Sequence, residues 1–196
     1  MRGIDFYNIP TTVLSQVDSS IGGKVAIDFC GVKNIVGAFY PPKAVLIDPD
    51  TLRTLPKRQI SNGLAESVKM SLTSDAELFE MFERGCADID TVIYKSLLIK
   101  KSVVEKDERE GGLRKVLNFG HTLAHAVESF NMDKYYHGEC VALGMLYMSS
   151  EEVQDKLCEI YLLQNVERKN MVAEKSIAFI NEQLEVLQKS LTKSEG

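Results

Sequence analysis

The pattern of apolar residues changes near Lys57, and this change restricts the possible folds more than any other feature of the sequence. Before it, short apolar stretches alternate with glycine, proline and hydroxyl residues, and residues 44–48 are predicted to form a short buried strand followed by a loop at 50–56. After it, helical periodicity predominates, as when Leu64, Val68 and Leu72 recur every four residues. The sequence predicts a sheet-containing lobe at 1–56 and an all-helical domain at 57–196.

Further helices are predicted over residues 77–82, 90–107 and the mostly charged tail that begins at Glu151. Five apolar residues in this tail alternate at spacings of three and four: Ile177, Ile180, Leu184, Leu187 and Leu191. This spacing is typical of a coiled-coil seam, but a seam of about two heptads is short. An ordinary docking helix is the favoured interpretation.

Composition excludes several classes of protein. The formal net charge of -5 argues against a basic nucleic-acid surface. No apolar run approaches the roughly 18–20 residues of a membrane span, and no signal-peptide pattern opens the chain. The cysteines lack a CxxC pair and are predicted to be buried apolar side chains in a reducing compartment: Cys30, Cys86, Cys140 and Cys158. We therefore expect a cytoplasmic protein with neither a nucleic-acid nor a membrane partner.

All the histidines, His121, His125 and His137, lie within seventeen consecutive residues. His121 and His125 are four apart and would share one helical face, while His137 follows a short polar break. Neutral imidazole is a common ligand of divalent transition metals, so the cluster indicates a metal site. The alternative is a chance cluster of core or surface histidines.

Polar residues at helical spacing extend this cluster upstream. Arg114, Asn118, His121 and His125 step by four, three and four residues, so one helical face would carry all of them, with Glu110 in the turn before. A polar stripe of this kind is hard to explain as core. It indicates a ligand site.

Glu66 and Lys69 are three residues apart on a predicted helix and admit two interpretations. One is an exposed ion pair of little energetic value, which is the commoner case. The other makes Glu66 an oxygen ligand for a metal and Lys69 an anion clamp beside it. Lys100, on a later helix, has plain solvation as its simplest interpretation.

The first lobe carries weaker indications of a nucleotide site. Gly22 and Gly23 would let the backbone approach a ligand, and Lys24 offers a charge for phosphate, although such a segment is often only a turn. Residues 51–54 follow a predicted strand, where α/β sheets hold ligands. The lobe has too few strands for a complete nucleotide-binding fold, and no GxGxxG fingerprint occurs in the sequence.

Six motifs, in order and with compatible spacing between about residues 2 and 148, resemble those of the 3-dehydroquinate synthase family. They are Pro10-Thr-Thr, Asp18-Ser-Ser-Ile-Gly-Gly-Lys24, Gly31-Val-Lys-Asn34, Gly63-Leu-Ala-Glu-Ser-Val-Lys69, Asn118-Phe-Gly-His-Thr-Leu-Ala-His-Ala-Val-Glu128 and His137-Gly-Glu. The resemblance implies part of a dinucleotide-binding α/β lobe, then a helical metal-binding domain, with the active site between them.

The resemblance also assigns roles to residues. It makes Glu66, His121 and His137 the ligands of zinc or cobalt and moves His125 to the substrate pocket. The implied NAD contacts are Thr11, Thr12, Asp18, Lys24, Lys33, Thr51, Leu52, Arg53 and Thr54. The implied substrate pocket consists of Asp18, Lys24, Asn34, Lys69, Lys100, Glu110, Arg114, Asn118 and His125.

The implied reaction belongs to a lyase of the shikimate pathway that acts as a homodimer. It converts the sugar acid phosphate DAHP to 3-dehydroquinate and phosphate by transient oxidation with NAD, β-elimination, reduction and aldol closure. Arg114 and the lysines would hold the carboxylate and phosphate, and either His125 or the substrate's own phosphate would move protons. Alternatives are another sugar-phosphate cyclase, a metal-dependent polyol dehydrogenase, or an inactive metal-binding remnant that associates through the tail.

The sequence departs from the family pattern in three respects. The glycine-rich half that precedes the Pro-Thr-Thr motif is absent, the closing helical segment is not recognisable after about Met148, and Val25 and Asp28 stand where many members have Thr and Asn. We therefore expect a truncated chain that binds zinc but binds NAD weakly or not at all.

Overall fold

The structure is a computed structural model that describes residues 4–30, 32–130 and 134–162. Two small sheets open the chain. Strand β1 (Tyr7–Asn8) pairs in parallel with β4 (Ala44–Val45), whereas β2 (Lys24–Phe29) and β3 (Val32–Phe39) form an antiparallel hairpin. One turn of π-helix, Ser15–Ser19, lies between β1 and β2.

The strand predicted at residues 44–48 is wrong in length and in burial. Only Ala44 and Val45 pair, and Leu46 is 64% exposed. The predicted loop after it is a 3₁₀ helix, Pro49–Thr54. This helix forms because the Asp48 side chain accepts the Asp50 N–H at 3.0 Å and Pro49 stands at the first helical position, where its fixed φ is compatible with a helix.

Helices occupy most of the remaining described chain, in agreement with the sequence pattern. They are α1 (Lys57–Ser74), α2 (Ala76–Glu83), α3 (Ile89–Lys106), α4 (His121–Phe130), α5 (His137–Met148) and α6 (Glu151–Leu162). Asp75 and Asp88 cap α2 and α3 by accepting backbone N–H groups. The predicted seam at 177–191 lies outside the described residues. Among the described residues, every helix is too short or too polar to span a lipid bilayer.

Two apolar clusters position the elements that carry the polar residues. The larger one, which includes Val68, Val141 and Met145, joins all six helices, α1 to α6. The other, which includes Val17 and Ile93, fastens the π-helix against α1 and α3. Burial of these apolar faces holds the polar faces of α1, α3, α4 and α5 toward one another.

The predicted continuous polar stripe is wrong. Residues Leu113–Asn118 form a 3₁₀ helix, the chain turns at Gly120 with φ +78°, and α4 begins only at His121. Close packing requires glycine at both positions, since a Cβ on Gly144 of α5 would lie 2.0 Å from the Gly120 carbonyl oxygen, and a Cβ on Gly120 would lie 2.8 Å from the Met145 backbone nitrogen. Arg114 and Asn118 therefore lie on a different element from the histidines.

The expectation of buried cysteines is also wrong for part of the set. Cys140 is buried in the larger apolar cluster, but Cys30 and Cys86 are exposed and Cys158 is half-buried. Cys30 lies at the tip of the hairpin and Cys86 in the turn after α2, where neither side chain meets a packed layer.

Candidate metal centre and anion pocket

Three side chains from three helices converge on one point. Glu66 of α1 lies with its Oε1 3.2 Å from His137 Nε2 and 3.6 Å from His121 Nε2, and the potential ligand atoms all lie within 4.8 Å of one another. The two Glu66 separations are shorter than two zinc–ligand bonds of about 2.0–2.2 Å, so one ion can bridge them. The set of one carboxylate and two imidazoles fits zinc or cobalt and leaves coordination positions open.

The protonation states suit metal binding. Burial and the nearby Lys69 charge lower the pKa of His121 to about 4, so its ring is neutral at physiological pH. Burial alone would raise the pKa of Glu66, but the Lys69 ammonium and the two histidines hold that pKa well below its usual range. The centre therefore presents an ionised carboxylate beside a neutral imidazole, the forms that bind a divalent cation.

Lys69 is part of the same buried group. It is 2% exposed, and its Nζ donates a short hydrogen bond to Glu66 Oε2. The interpretation of Glu66 and Lys69 as an exposed ion pair is wrong, because both side chains are buried. A buried ammonium beside the ligand carboxylate can neutralise it before a cation binds and attract an anion afterwards.

His125 and Glu128 complete the surroundings of the centre. The His125 ring centroid lies 5.5 Å from that of His121 and 6.3 Å from that of His137, and the residue is exposed. Helix spacing alone paired His121 with His125 as ligands, whereas the structure places His137, not His125, with His121 and Glu66. Glu128 Oε2 lies 3.5 Å from His137 Nδ1, on the side of the ring away from Glu66.

A second ionic group lies between α3 and the π-helix. Lys100 is 5% exposed and donates to Asp18 Oδ1 at 2.6 Å and to the Asp18 carbonyl oxygen. Burial lowers the pKa of Lys100, while the charges of Asp18 and Glu66 oppose that change. The simple interpretation of Lys100 as solvated is wrong, and its charge acts within the same electrostatic field as Glu66.

A third group of polar residues connects the β2–β3 hairpin to the 3₁₀ helix Leu113–Asn118. Glu110, which has a φ of +61°, accepts hydrogen bonds from Lys24 at 2.5 Å and from Asn118 at 2.8 Å. Arg114 is 2% exposed and donates to the carbonyl oxygens of Gly22 at 2.9 Å and Glu108 at 2.6 Å. The Arg114 guanidinium therefore binds backbone in this structure instead of presenting both donors to an open pocket.

The predicted cofactor contacts are more dispersed. Thr12 Oγ1 accepts the Ser15 N–H, and Thr51 Oγ1 contacts Gln16 Nε2 at 3.1 Å, so both hydroxyls have structural partners. The other predicted cofactor contacts with described side chains are Asp18, Lys24, Thr11, Leu52, Arg53 and Thr54, whereas Asn34 is a predicted residue of the substrate pocket. Leu52 is buried in the smaller apolar cluster and Arg53 pairs with Asp50, while Thr11, Thr54 and Asn34 are exposed. The Lys33 side chain lies outside the described part of the chain.

Sequence reasoning missed several residues that shape the site. Asp107 accepts backbone N–H groups of Gly111, Gly112 and Arg114 and so fixes the loop that carries Glu110. Arg58 and Glu139 join the starts of α1 and α5. An aspartate before a Gly-Gly turn is a detectable local signal, whereas the Arg58–Glu139 pair spans 81 positions and leaves no sequence pattern.

Two family models together match most of the chain. The model described as 3-dehydroquinate synthase N-terminal matches residues 1–62, and the one described as 3-dehydroquinate synthase C-terminal matches residues 63–193. The second match extends well past Met148, so the expectation that the resemblance ends there is wrong.

Curated relatives named 3-dehydroquinate synthase share close to half of their residues with this chain over the matched region. The relative from Acetivibrio thermocellus is 51% identical over 154 residues, which cover 74% of this chain and 43% of the relative. The relative from Clostridium beijerinckii is 45% identical over 187 residues, which cover 85% of this chain and 53% of the relative. The chain thus spans about half the length of the curated relatives that it matches.

Solved structures of sugar-phosphate cyclases resemble the fold. One is 2-epi-5-epi-valiolone synthase from Streptomyces hygroscopicus subsp. jinggangensis with NAD+ and Zn2+ bound, at a TM-score of 0.75 and 29% identity over 81% of this chain and 49% of that one. Another is 2-deoxy-scyllo-inosose synthase complexed with carbaglucose-6-phosphate, NAD+ and Co2+. Its TM-score is 0.76 and its sequence identity 28%, over 86% of this chain and 50% of that one.

Proposed function

Because the chain belongs to the 3-dehydroquinate synthase family, we propose that it is part of a 3-dehydroquinate synthase that converts DAHP to 3-dehydroquinate and phosphate. The observation that carries the proposal is the convergence of Glu66, His121 and His137 beside buried lysines. This arrangement combines a site for a divalent cation with positive charge for an anionic substrate. Family membership narrows that general chemistry to a phosphorylated sugar acid.

We assign the metal site to zinc or cobalt and the dinucleotide site to NAD. A metal ion held by Glu66, His121 and His137 would supply Lewis-acid polarisation of a substrate hydroxyl, and NAD would supply a reversible two-electron acceptor, so the overall reaction is redox-neutral. The solved cyclases hold such groups, as their names state. Residues 1–56 would contribute part of the dinucleotide-binding lobe, and residues 57–196 the metal and substrate domain.

The basic groups would hold the substrate's carboxylate and phosphate. Lys69 and Lys100 are buried and already form ion pairs with Glu66 and Asp18. When a substrate anion binds, each lysine would exchange its carboxylate partner for the anion, so no buried ammonium would be left unpaired. Lys24 and Asn118 share the Glu110 carboxylate in the same way. His125, exposed beside the metal triad, would hold or move a proton.

The remaining proposed pocket residues would act mainly through backbone geometry. Arg114 would support the 3₁₀ helix and the Gly22 turn, because its donors already bind carbonyl oxygens there. Asn34, with a φ of +55° and its N–H bound to Asp28, would fix the exposed end of the hairpin.

A chimera tests the proposed reaction. This chain replaces the corresponding region of a full-length curated relative, and the product is assayed with DAHP, NAD and zinc. We expect release of inorganic phosphate without net NADH, and loss of that release when His137 is changed to Ala. Absence of phosphate release from a folded, metal-loaded chimera would contradict the assignment.

The same chimera separates the alternatives. A metal-dependent polyol dehydrogenase would accumulate NADH with a polyol substrate, and a different cyclase would prefer a sugar phosphate that lacks the carboxylate. The buried lysines favour an anionic substrate over an uncharged polyol.

We also propose that the protein forms a homodimer, as the family resemblance implies. The β2–β3 hairpin exposes large apolar side chains, among them Ile27 at 62%, Phe29 at 59% and Ile35 at 59%. An exposed apolar surface of this kind is typical of an interaction site, and we assign it to contact with a second copy of the chain. Sedimentation equilibrium should give a dimer that dissociates in an Ile27→Asp, Phe29→Asp variant, and a monomer of the parent chain would contradict the proposal.

A further inference from the structure

We propose that Arg58 is a positioning residue, which keeps the metal ligand His137 in register with the metal ligand Glu66. This inference rests on the proposed metal centre. It concerns contacts between the first half of α1 and the start of α5, on the side of α1 that leads to the centre.

Contacts between α1 and α5 form a ladder of three rungs. Arg58, Asn62 and Glu66 are four residues apart and share one face of α1. They contact Glu139, Gly138 and His137 respectively. The contacts run in opposite directions along the two helices, so the ligand pair Glu66–His137 is the last rung.

The first rung is a planar ion pair. Arg58 Nε lies 2.7 Å from Glu139 Oε1, and Nη2 lies 2.8 Å from Oε2. The same Oε2 accepts the Tyr136 N–H at 3.0 Å, directly before the first residue of α5. One carboxylate therefore closes the start of α5 and ties it to α1.

The Arg58 guanidinium also fixes the chain that enters α5. Its Nη2 donates to the Lys134 carbonyl oxygen at 2.9 Å, and its Cζ lies 4.2 Å from the centroid of the Tyr136 ring. The planar guanidinium has several donors, so it binds a carboxylate, a carbonyl oxygen and an aromatic face at the same time. The compact ammonium of a lysine does not match this geometry. Two residues that precede His137 are held in this way.

The second rung sets the distance between the helices. The Gly138 N–H donates to Asn62 Oδ1 at 2.7 Å, and a Cβ on Gly138 would lie 2.0 Å from the Asn62 carbonyl oxygen. The backbones of α1 and α5 therefore touch at this rung. The contact between Gly138 and Asn62 fixes the distance between the two helices. The Arg58–Glu139 ion pair then prevents α5 from rotating about that contact. His137 is therefore held beside Glu66.

The exposure of the pair indicates what its loss would change. The side chains of Arg58 and Glu139 are 40% and 26% exposed, and ion pairs at such positions contribute little to global stability. The larger consequence is expected at the metal centre, since freedom at the start of α5 moves a ligand directly. Outer contacts that orient metal ligands typically change metal affinity by about 10–100-fold.

Zinc affinity of Arg58→Met, measured by competition with a chromophoric chelator, tests the inference. We expect roughly tenfold weaker binding than in the parent chain. The matched control is Arg84→Met, which removes an exposed ion pair with Glu80 on α2, and we expect it to bind zinc like the parent. If the parent binds no zinc, the proposed metal centre fails; if the parent binds zinc and Arg58→Met binds it equally well, the positioning role fails.

Two further variants separate positioning from a general loss of structure. The double variant Arg58→Glu, Glu139→Arg exchanges the two charges and should recover part of the lost zinc affinity. The zinc affinity of Arg58→Lys should fall between those of Arg58→Met and the parent. The visible absorption of the Co2+-loaded protein should shift in Arg58→Met, because ligand geometry changes, but not in Arg84→Met. If Arg58→Met does not fold, Arg58→Lys is tested in its place. An Arg58→Lys variant with the zinc affinity and the Co2+ spectrum of the parent would then overturn the proposal.

Discussion

Glu66 is the residue on which the site depends most. A fully buried carboxylate is costly unless charges and hydrogen bonds compensate it, and Glu66 has Lys69, His121 and His137 around it. Its low pKa follows from those partners, despite the burial that would raise it. The metal centre is thus prepared electrostatically before a cation binds.

Glu128 is predicted to orient His137 for metal binding. Its Oε2 lies 3.5 Å from His137 Nδ1, so the carboxylate can fix the ring with Nε2 directed at Glu66. We expect Glu128→Gln to weaken zinc binding about 10–100-fold, measured by chelator competition. Glu152→Gln, on the exposed surface of α6, is the control. An unchanged zinc affinity in Glu128→Gln would exclude the orienting role.

The Asp107 carboxylate is predicted to make the free energy of unfolding depend on pH in the acid range. The N–H groups of Arg114, Gly112 and Gly111 lower the pKa of this carboxylate below its unfolded value of about 3.9. Its contribution to the free energy of unfolding is therefore complete above that unfolded value and is lost as pH falls through the lower, folded pKa.

The comparison of Asp107→Asn with the parent at two pH values checks this expectation. Urea unfolding should show a destabilised variant at pH 7, with the difference shrinking at a pH well below the unfolded value of about 3.9, as the parent carboxylate becomes protonated. Asp155→Asn, on the exposed side of α6, is the control. An equal difference between variant and parent at both pH values would contradict the role assigned to the charge.

At the scale of elements, the crossing of α4 and α5 depends on two glycines. A methyl group on Gly144 would lie 2.0 Å from the Gly120 carbonyl oxygen, so Gly144→Ala must push the helices apart. We expect a loss of roughly 1–3 kcal/mol in the free energy of unfolding, measured with urea. Gly112→Ala is the control because nothing lies within 4 Å of its added Cβ. A Gly144→Ala variant as stable as the parent would contradict this packing.

The sequence predicts helices better than it predicts the path between them. Helices α2 and α3 follow from apolar periodicity and from the caps Asp75 and Asp88, which are local signals. The break at Gly120 is not visible in that periodicity, because it arises from the approach of Gly144 in another helix. For the same reason, residue spacing wrongly put Arg114 and His125 on one helical face.

The site shows the same division between local and distant information. Spacing alone favoured an exposed Glu66–Lys69 pair, since burial of α1 by α5 depends on contacts about seventy residues away in sequence. Matched motifs, not spacing, brought Glu66, His121 and His137 together as ligands. The ladder from Arg58 to Glu66 could not be predicted, because each of its rungs pairs residues from distant segments.

For the whole molecule, the proposed division of labour predicts unequal cofactor binding. The 196-residue chain contains no GxGxxG fingerprint, and Leu52 and Arg53, two of its proposed NAD contacts, have their side chains in the core or in an ion pair. We expect the purified chain to bind NAD with a Kd of about 1 mM or weaker. A Kd of that size corresponds to a binding free energy of about −4 kcal/mol. Calorimetry on the zinc-loaded chain measures this, and a micromolar Kd would contradict the prediction.

The metal centre is the central claim, and a cobalt titration tests it most directly. Visible absorption should report one Co2+ bound per chain, at a site that zinc competes for. His137→Ala should abolish the signal, whereas His125→Ala should retain it, because His125 lies beside the triad and outside it. No cobalt signal from the folded parent chain, or an equal loss in both variants, would contradict the assignment of Glu66, His121 and His137.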